Sequence, residues 1–273
     1  MSDELEMLEV SLLTEGVFRQ YGLDFRNYSY ASLRRRVRNT MTAEGLPTVT
    51  ALLDRVLHDP AAMERLLLQL SVNVTAMFRD PTFFRSLREN VVPLLRSHPF
   101  IRVWHVGCAT GEEVYSMAIL LEEEGLYDRA RLYATDMNEA VLAEARKGIF
   151  PAGAMREYAR NYELAGGRAA LADYYTARYD FAIFRQSLRR NMVFAHHNLV
   201  TDGSFNEFNV ILCRNVMIYF DRTLQGRVHR LLYTSLRRFG VLALGRKESL
   251  KGTAHEHDYA PVDRTEKIYR RIA

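Results

Sequence analysis

Hydrophobic and polar positions recur at two different spacings along this chain, and the spacing changes near residue 80. Before that point, apolar positions follow a helical period and no strand pattern of useful length appears. The predicted helices are one with an apolar face from Leu8 to Phe18, a basic one from Tyr30 to Met41, and two short ones started by Thr48 and by Asp59-Pro60. We therefore expect residues 1–80 to form an all-helical domain.

After residue 80, short apolar runs alternate with helical patterns, as is typical of an α/β sheet. Strands are predicted at 101–107, 131–136, 191–197, 209–214, 241–246 and 267–272. Between residues 174 and 190, Tyr179, Phe181 and Ile183 alternate with Asp180 and Ala182, which predicts a small antiparallel hairpin. We expect an α/β domain over 81–273, with a small β-subdomain inserted within about 165–190.

Composition agrees with a globular protein of ordinary type. Of 273 residues, 48% are hydrophobic and 26% are charged. No apolar run could span a bilayer and no signal segment is present, so we expect a cytoplasmic protein without membrane insertion. The two cysteines, Cys108 and Cys213, are expected to be small buried side chains at strand ends. His196 and His197 would point to opposite faces of a strand, so no metal site is expected.

The string VWHVGCATGEEVYS at 103–116 describes an apolar strand that ends at Gly107, a tight turn through Gly111, and a helix that starts near Glu112. Glycine at such a turn lets a cofactor touch the backbone, because a Cβ would hold it away. The G-x-x-x-G spacing lacks the middle glycine of the dinucleotide fingerprint, which argues against a bound pyrophosphate. A smaller, cationic nucleoside such as S-adenosyl-L-methionine fits better.

The next predicted strand ends in Asp136, about 25 residues beyond Gly111. A ribose-binding carboxylate stands at this place in such folds. The alternative is that Asp136 caps the helix that follows from Asn138. We predict that Asp136 binds the ribose, because an acidic residue stands at the end of a predicted strand and at the expected distance from the glycine turn.

Further motifs follow in a fixed order along the chain. They are N-x-T-x-x-F-R at 73–79, ATGEE at 109–113, ATD at 134–136, His197-Asn198-Leu199, and CRNVMIYF at 213–220. With these strings the chain resembles CheR, the family of chemotaxis-receptor glutamate methyltransferases, from about residue 30 to the C-terminus. The resemblance implies an α/β fold: a class I (Rossmann-like) methyltransferase domain with a small antiparallel β-subdomain, and an N-terminal all-helical domain that recognises the receptor and covers the active site.

The resemblance also implies the activity and the partners. A methyl group would pass from S-adenosyl-L-methionine to receptor glutamates and leave S-adenosyl-L-homocysteine. A sulfonium is already activated and a carboxylate is already anionic at neutral pH, so the reaction needs alignment and exclusion of water and no general base. The expected partner is the cytoplasmic helical bundle of a chemotaxis receptor, together with its C-terminal tether peptide in members that depend on one. No nucleic acid is expected.

Two residues are predicted to act on the substrate. Arg79 can orient a carboxylate bidentately without losing its charge, and the resemblance also places it against the cofactor. Tyr219 could bring its hydroxyl near the transferring methyl group. The alternatives are a surface arginine for Arg79 and a core aromatic for Tyr219, which is surrounded by Met217, Ile218 and Phe220.

The resemblance assigns the remaining cofactor contacts. Asn73 and Thr75 are assigned to the amino-acid end of the cofactor, and Gly107 and Glu113 to the contact with the turn after the first strand. Asp136 is assigned to the ribose, and Asn198 and Leu199 to the adenine. Cys213 and Arg214 are expected to line the pocket with their backbone. Glu112 is hard to separate from Glu113, since either carboxylate could simply stabilise a helix N-terminus. The family pattern favours Glu113. The string LGRKESL at 244–250 departs from the family's usual histidine-serine-glutamate version, which we expect to alter substrate contacts and not the fold.

A basic cluster, Arg34, Arg35, Arg36 and Arg38, lies on the predicted second helix. It could be a solvated charged face. The formal net charge of +4 permits an anionic partner, and the resemblance implies that basic residues of this helix contact the acidic receptor bundle. That role is assigned to Arg35 and Arg38.

Two other functions remain open from sequence. One is a methyltransferase of the same fold acting on another protein or on nucleic acid. Against nucleic acid, the N/D-P-P-Y/F tetrapeptide of many amino-directed DNA enzymes is missing, and aromatic residues are not interleaved with the basic cluster. The other is a module that binds the cofactor or its product and signals without turnover. The presence of both Arg79 and Tyr219 argues against it.

Overall fold

The computed structural model describes residues 3–71 and 75–273. By its internal contacts, the chain divides into two compact units. The smaller unit comprises Met1–Asn73 and Tyr219–Val228, and the larger unit comprises Val74–Ile218 and His229–Ala273. This division adds a segment of the C-terminal half to the smaller unit.

Helices form most of the smaller unit. They are α1 (Asp3–Tyr21), α2 (Tyr30–Glu44), α3 (Val49–His58) and α4 (Pro60–Leu70). The predicted starts of the last two are confirmed, because Thr48 Oγ1 accepts the Ala51 N–H at 3.1 Å and an Asp59 carboxylate oxygen accepts the Ala61 N–H at 2.9 Å.

None of the helices described in the chain combines the length and apolar character that crossing a membrane requires. The helices after α4 belong wholly or partly to the larger unit. A π-helical turn, Leu87–Val91, joins the first two. The division by contacts cuts the last helix after Val228. The helices that follow α4 along the chain are α5 (Pro81–Ser86), α6 (Val92–Leu95), α7 (Glu112–Glu123), α8 (Glu139–Lys147), α9 (Met155–Leu164), α10 (Gln186–Arg189) and α11 (Arg222–Ser235).

The predicted α/β sheet is confirmed, and it lies in the larger unit. The strands along the chain are β1 (Ile101–Val106), β2 (Ala130–Asp136), β3 (Ile149–Pro151), β4 (Tyr175–Arg178), β5 (Phe181–Phe184), β6 (Met192–His196), β7 (Phe208–Cys213), β8 (Leu236–Leu244), β9 (Tyr259–Asp263) and β10 (Ile268–Arg271). The large sheet has the order β6-β2-β1-β7-β8-β10-β9. Its first five strands are parallel, and β10 and β9 are antiparallel.

Strand β9 was not predicted from sequence. Its segment contains Pro261, which lacks the N–H that a central strand would donate. In the structure, β9 lies at the edge of the sheet, and among the described strands it pairs with β10 alone. An edge position tolerates a proline that a central position would not.

A second, antiparallel sheet has the order β3-β5-β4. Strands β4 and β5 form the predicted hairpin, whereas β3 lies before the expected range of 165–190. Aromatic contacts join this sheet to the core of the larger unit: the rings of Phe150 and Phe184 lie 5.3 and 5.8 Å from that of Tyr115 on α7. The small sheet is therefore packed on the domain core and does not project as a free hairpin.

Candidate functional site

The carboxyl ends of three neighbouring parallel strands define the candidate site. In register, Val106 of β1 pairs with Thr135 of β2 on one side and with Cys213 of β7 on the other. The loops that follow these strands therefore begin at the same edge of the sheet, where ligands bind in open α/β folds. This edge brings together Gly107, Asp136, Cys213 and Arg214, which the sequence analysis assigned separately to the cofactor.

The turn after β1 has three residues in the left-handed region: Gly107 at φ 64°, Ala109 at 47° and Gly111 at 95°. A Cβ on Gly107 would lie 2.8 Å from Val216 Cγ2. A Cβ on Gly111 would lie 3.0 Å from Ala145 Cβ. The sequence analysis explained these glycines by the approach of a cofactor. The structure adds two further reasons for glycine at these positions. One is the positive φ values, and the other is the close approach of Val216, in the loop after β7, and of Ala145 on α8.

Asp136 ties two of these loops together. One carboxylate oxygen accepts the N–H of Ala109 at 3.0 Å, and the other accepts the N–H of Asn138 at 3.0 Å. Burial raises the pKa of Asp136, and the backbone hydrogen bonds oppose that rise. Helix α8 is capped by Asn138, whose Oδ1 accepts the Ala140 N–H at 3.0 Å, so the capping alternative for Asp136 is wrong. A carboxylate has about four acceptor positions, which leaves capacity for a ribose hydroxyl.

Arg214 is the centre of a buried ionic network, and only 8% of its surface is exposed. Its Nη1 donates to Glu113 Oε2 at 3.0 Å and its Nη2 donates to Asp80 Oδ2 at 2.6 Å. Nη2 also lies 3.4 Å from the Arg79 carbonyl oxygen, and the guanidinium stacks 3.9 Å from the centre of the Phe83 ring. The sequence analysis assigned only the backbone of Arg214 to the pocket. The structure shows that its side chain links the first turn of α7 to the segment that carries Arg79.

The two glutamates at the start of α7 have different surroundings. Burial raises the pKa of Glu113, but the hydrogen bond from His105 and the charge of Arg214 outweigh it, so that the pKa is lowered overall. Glu112 accepts instead from Thr110 Oγ1 at 2.7 Å and from the hydroxyl of Tyr158 at 3.4 Å. Burial raises the pKa of Glu112. It is Glu113, and not Glu112, that lies in the network with Arg214.

Arg79 is half-buried and lies between two non-glycine residues in the left-handed region, Phe78 at φ 50° and Asp80 at φ 58°. This conformation costs about 1–2 kcal/mol for each residue, so surrounding contacts must hold it. The Phe78 N–H donates to Ser116 Oγ at 2.8 Å, and its ring packs 5.0 Å from that of Phe84. The backbone on both sides of Arg79 is thus held in a defined conformation.

The other residues assigned to the cofactor have a simpler environment. The Asn198 side-chain oxygen accepts the Val200 N–H at 2.9 Å, and the backbone N–H of Asn198 donates to Asp202 Oδ2 at 2.9 Å, so this residue shapes the loop after β6. Leu199 and Thr75 are half-buried. Asn73, the remaining assigned residue, lies outside the described residues.

Both cysteines are buried and free, as predicted. Burial raises the pKa of the Cys108 and Cys213 thiols, which makes both poor nucleophiles. Within the ranges 3–71 and 75–273, no group of three or more His, Cys, Asp or Glu side chains is arranged to hold a metal ion.

Tyr219 belongs to the smaller unit, whereas Arg79 belongs to the larger one. The Tyr219 carbonyl accepts the Ser29 N–H at 2.8 Å. Its ring lies 4.7 Å from the guanidinium carbon of Arg36. The half-buried phenol is thus next to a cation of α2, and it is not a plain core aromatic.

The four arginines of α2 have three different environments. Arg36 is buried and donates to the carbonyl of Leu70 at 2.6 Å, at the end of α4. Arg34 and Arg38 both donate to the buried carboxylate of Glu6 on α1, with Arg38 at 2.5 and 2.6 Å. Arg35 is exposed to solvent. The alternative of a uniformly solvated face is wrong.

Sequence reasoning missed Glu248 as an organiser of the loop that follows β7. Its buried carboxylate accepts four backbone N–H groups, those of Gly245 at 2.6 Å, Asn215 at 3.1 Å, Val216 at 2.9 Å and Met217 at 2.8 Å. The sequence does place Glu248 just after the apolar strand predicted at 241–246, which could have marked it as a candidate. The sequence cannot show which backbone N–H groups its carboxylate accepts. Its neighbour Arg246, one of the departures from the family pattern, donates to Glu266 at 2.9 Å and to Thr82 at 2.7 Å.

Comparison with known proteins gives the same picture over most of the chain. The family model described as CheR methyltransferase, all-alpha domain, matches residues 8–71, and that described as CheR methyltransferase, SAM binding domain, matches residues 73–267. A protein of Pseudomonas putida that carries the name of a methyltransferase, Cher3, is 49% identical over 97% of this chain and 97% of its own length.

More distant relatives carry explicit functional names. The chemotaxis protein methyltransferase of Listeria innocua is 29% identical over 88% of this chain and 90% of its own. That of Salmonella typhimurium is 32% identical over 68% of this chain and 64% of its own. These matches confirm the predicted class I methyltransferase fold and S-adenosyl-L-methionine as the cofactor. The chain belongs to the CheR methyltransferase family.

Proposed function

We propose that this protein transfers a methyl group from S-adenosyl-L-methionine to glutamate side chains of chemotaxis receptors. A glutamate oxygen forms the new C–O bond while the S–CH₃ bond breaks, and the electron pair of that bond stays on sulfur as S-adenosyl-L-homocysteine leaves. The observation that carries the proposal is the Glu113–Arg214–Asp80 network, which connects the cofactor edge of a CheR-family sheet to the Arg79 segment.

The residues have little acid–base chemistry to perform. A free glutamate side chain has a pKa of about 4.3, so it reaches the site ionised. Arg79 can hold the carboxylate in line with the methyl group, and the fixed backbone around it favours one direction of approach. Alignment of two reactants can lower a barrier by about 7 kcal/mol or more in the ideal case.

The cofactor contacts follow from the charges of the edge. The lowered pKa of Glu113 keeps it anionic, which suits the α-ammonium group at the amino-acid end of the cofactor. Asp136 has acceptor capacity for the ribose hydroxyls. The loops that carry Asn198 and Arg214 follow β6 and β7 at the same edge of the sheet. Thr75 and Asn73 complete the proposed set, and Tyr219 is proposed to act near the transferring methyl group.

The receptor bundle is proposed to dock on α2, through Arg35 and Arg38. Arg35 is exposed, and both residues line a surface depression that also includes Tyr30, Ala31, Arg34 and Asn39. Arg38 already shares its charge with Glu6, so Arg35 is the more available cation. A bundle of this kind is cytoplasmic, and we place the enzyme in the same compartment.

We further propose that the free edge of β4 can accept a receptor's tether peptide as an added strand. Within residues 3–71 and 75–273, strand β4 pairs only with β5, and Thr176, Ala177 and Arg178 are exposed. At the hairpin tip, Tyr179 is 90% exposed. Main-chain hydrogen bonds to an open edge are a common means of peptide capture. A labelled peptide from the C-terminus of the cognate receptor should bind the protein, and replacing Ala177 with proline should abolish that binding.

Labelled methyl transfer tests the proposed reaction. The protein is incubated with methyl-labelled S-adenosyl-L-methionine and receptor-bearing membranes, and the product is treated with mild alkali. A glutamate methyl ester releases volatile methanol, whereas an N-methyl group is stable. Label that resists alkali would point to another target. No transfer, together with tight binding of S-adenosyl-L-homocysteine, would favour a binding module.

A further inference from the structure

A fully buried histidine on β1 has no part in the proposed chemistry, yet it contacts a residue that does. His105 Nδ1 lies 3.0 Å from Glu113 Oε1. The other ring nitrogen, Nε2, is also buried and has no hydrogen-bond partner in the part of the chain that the structure describes. An unpaired buried nitrogen is unfavourable, so a core that needed only packing would be better served by an apolar side chain.

The two oxygens of Glu113 are held from opposite directions. Oε1 meets His105 on β1, and Oε2 accepts from Arg214 in the loop after β7 at 3.0 Å. Because an ionised carboxylate can only accept, His105 Nδ1 is the donor. A carboxylate held at both oxygens by different elements has a fixed plane. Arg214 alone would hold it less firmly, since Arg214 also makes the shorter bond to Asp80 at 2.6 Å.

We propose that His105 is a positioning residue for cofactor binding, which holds the Glu113 carboxylate in the orientation that receives the cofactor. This rests on the proposed function, which assigns Glu113 to the cofactor. The charge of Glu113 gives separate support. Burial raises the pKa of this carboxyl, and the hydrogen bond from His105 comes first among the interactions that lower it.

Two substitutions of His105 distinguish the effect of its hydrogen-bond donor from the effect of its packing. His105→Asn keeps an N–H near the position of Nδ1, whereas His105→Leu keeps a similar volume without a donor. The matched control is His229→Leu, because His229 is also buried in the larger unit, with an unpaired Nδ1, and belongs to another element. Each variant is measured for its S-adenosyl-L-homocysteine affinity by calorimetry, for kcat and KM in the methyl-transfer assay, and for thermal unfolding.

The leucine variant is expected to bind S-adenosyl-L-homocysteine about tenfold or more weakly and to raise the KM for S-adenosyl-L-methionine similarly, with kcat at saturation within about twofold of the wild type. The asparagine variant should recover most of that loss, and His229→Leu should leave the affinity unchanged. If the leucine variant does not fold, His105→Ala takes its place.

Unchanged affinity in a folded leucine or alanine variant would overturn the proposal, as would an asparagine variant that loses as much as leucine. The binding measurement needs no receptor, so its outcome is independent of the methyl acceptor. A wild-type protein that binds product but forms no alkali-labile ester would reject the proposed function and leave the role of His105 intact. Failure of the wild type to bind product would reject both.

Discussion

At the scale of single residues, the site depends on carboxylates, two buried and one half-buried, that are each held by several donors. Asp136 accepts backbone N–H groups from two loops, and Glu248 accepts four. Glu113 accepts from an imidazole and a guanidinium. Burial makes an ionised carboxylate unfavourable, and these donors offset part of that cost for Asp136 and Glu248 and outweigh it for Glu113. The polar groups of the cofactor edge are therefore oriented before any ligand arrives, which is the condition for electrostatic preorganisation.

Replacing Arg79 with alanine should reduce kcat far more than cofactor affinity. A charge-assisted hydrogen bond contributes about 1.5–3 kcal/mol, so we expect kcat to fall roughly 10- to 100-fold or more when the carboxylate loses its clamp. Because Arg79 is also assigned to the cofactor, the affinity for S-adenosyl-L-homocysteine should fall as well, but by much less than kcat. Steady-state kinetics and calorimetry give the two numbers.

Arg79→Lys is the matched variant, because it keeps the charge and removes the bidentate geometry. It should give a kcat between those of the wild type and the alanine variant. Equal losses in kcat and in cofactor affinity for the alanine variant would count against a substrate-orienting role.

At the scale of elements, the close approach of two loops decides which residues the turn after β1 accepts. Gly107→Ala should cost more stability than Gly125→Ala, although both glycines have nearly the same φ, 64° and 67°. The added Cβ at Gly107 would lie 2.8 Å from Val216, whereas that at Gly125 meets nothing within 4 Å. We expect about 1 kcal/mol of strain for each variant and at least about 1 kcal/mol more for Gly107, measured by denaturant unfolding. Equal losses would show that the loops separate freely.

Much at this scale could be predicted from sequence, and the failures have physical causes. The strands that form the site were predicted because parallel strands buried on both faces are continuous apolar runs. The sequence could not separate Arg35, Arg36 and Arg38, because helical spacing does not show what a neighbouring helix places opposite each one. Glu248 was missed for the same reason, since its partners are backbone groups that only the folded loop presents.

The hydrogen bonds from Arg34 and Arg38 of α2 to Glu6 of α1 should make the stability of the smaller unit sensitive to acid. Hydrogen bonds from Arg38 and then Arg34 lower the pKa of Glu6 from 4.5 to about 2. A carboxyl whose pKa is lowered by folding contributes stability above its unfolded pKa and loses it as the pH falls toward the folded value. The midpoint of thermal unfolding should therefore fall between about pH 4.5 and 2, and less steeply in Glu6→Gln. Parallel curves for the two proteins would refute this role.

At the scale of the whole molecule, the account assigns the docking surface for the receptor bundle to the smaller unit, and the cofactor edge and Arg79 to the larger one. Arg35→Glu should raise the KM for receptor and leave the affinity for S-adenosyl-L-homocysteine unchanged. The effect should be strong at low ionic strength and weaken as salt is added, because exposed charges are screened over about 10 Å at 0.1 M. Arg19→Glu is the matched control, since it makes the same charge change at an exposed site on α1. An Arg35 variant with unchanged KM at every ionic strength would reject the docking surface.

The most direct test of the central claim is a crystal structure of the protein with S-adenosyl-L-homocysteine. The account predicts adenosyl density beside the Gly107 turn, with the ribose hydroxyls on Asp136 and the amino-acid end near Glu113 and Arg79. Density for the ligand elsewhere, or an empty edge at saturating ligand, would contradict the claim that the carboxyl ends of β1, β2 and β7 form the cofactor site.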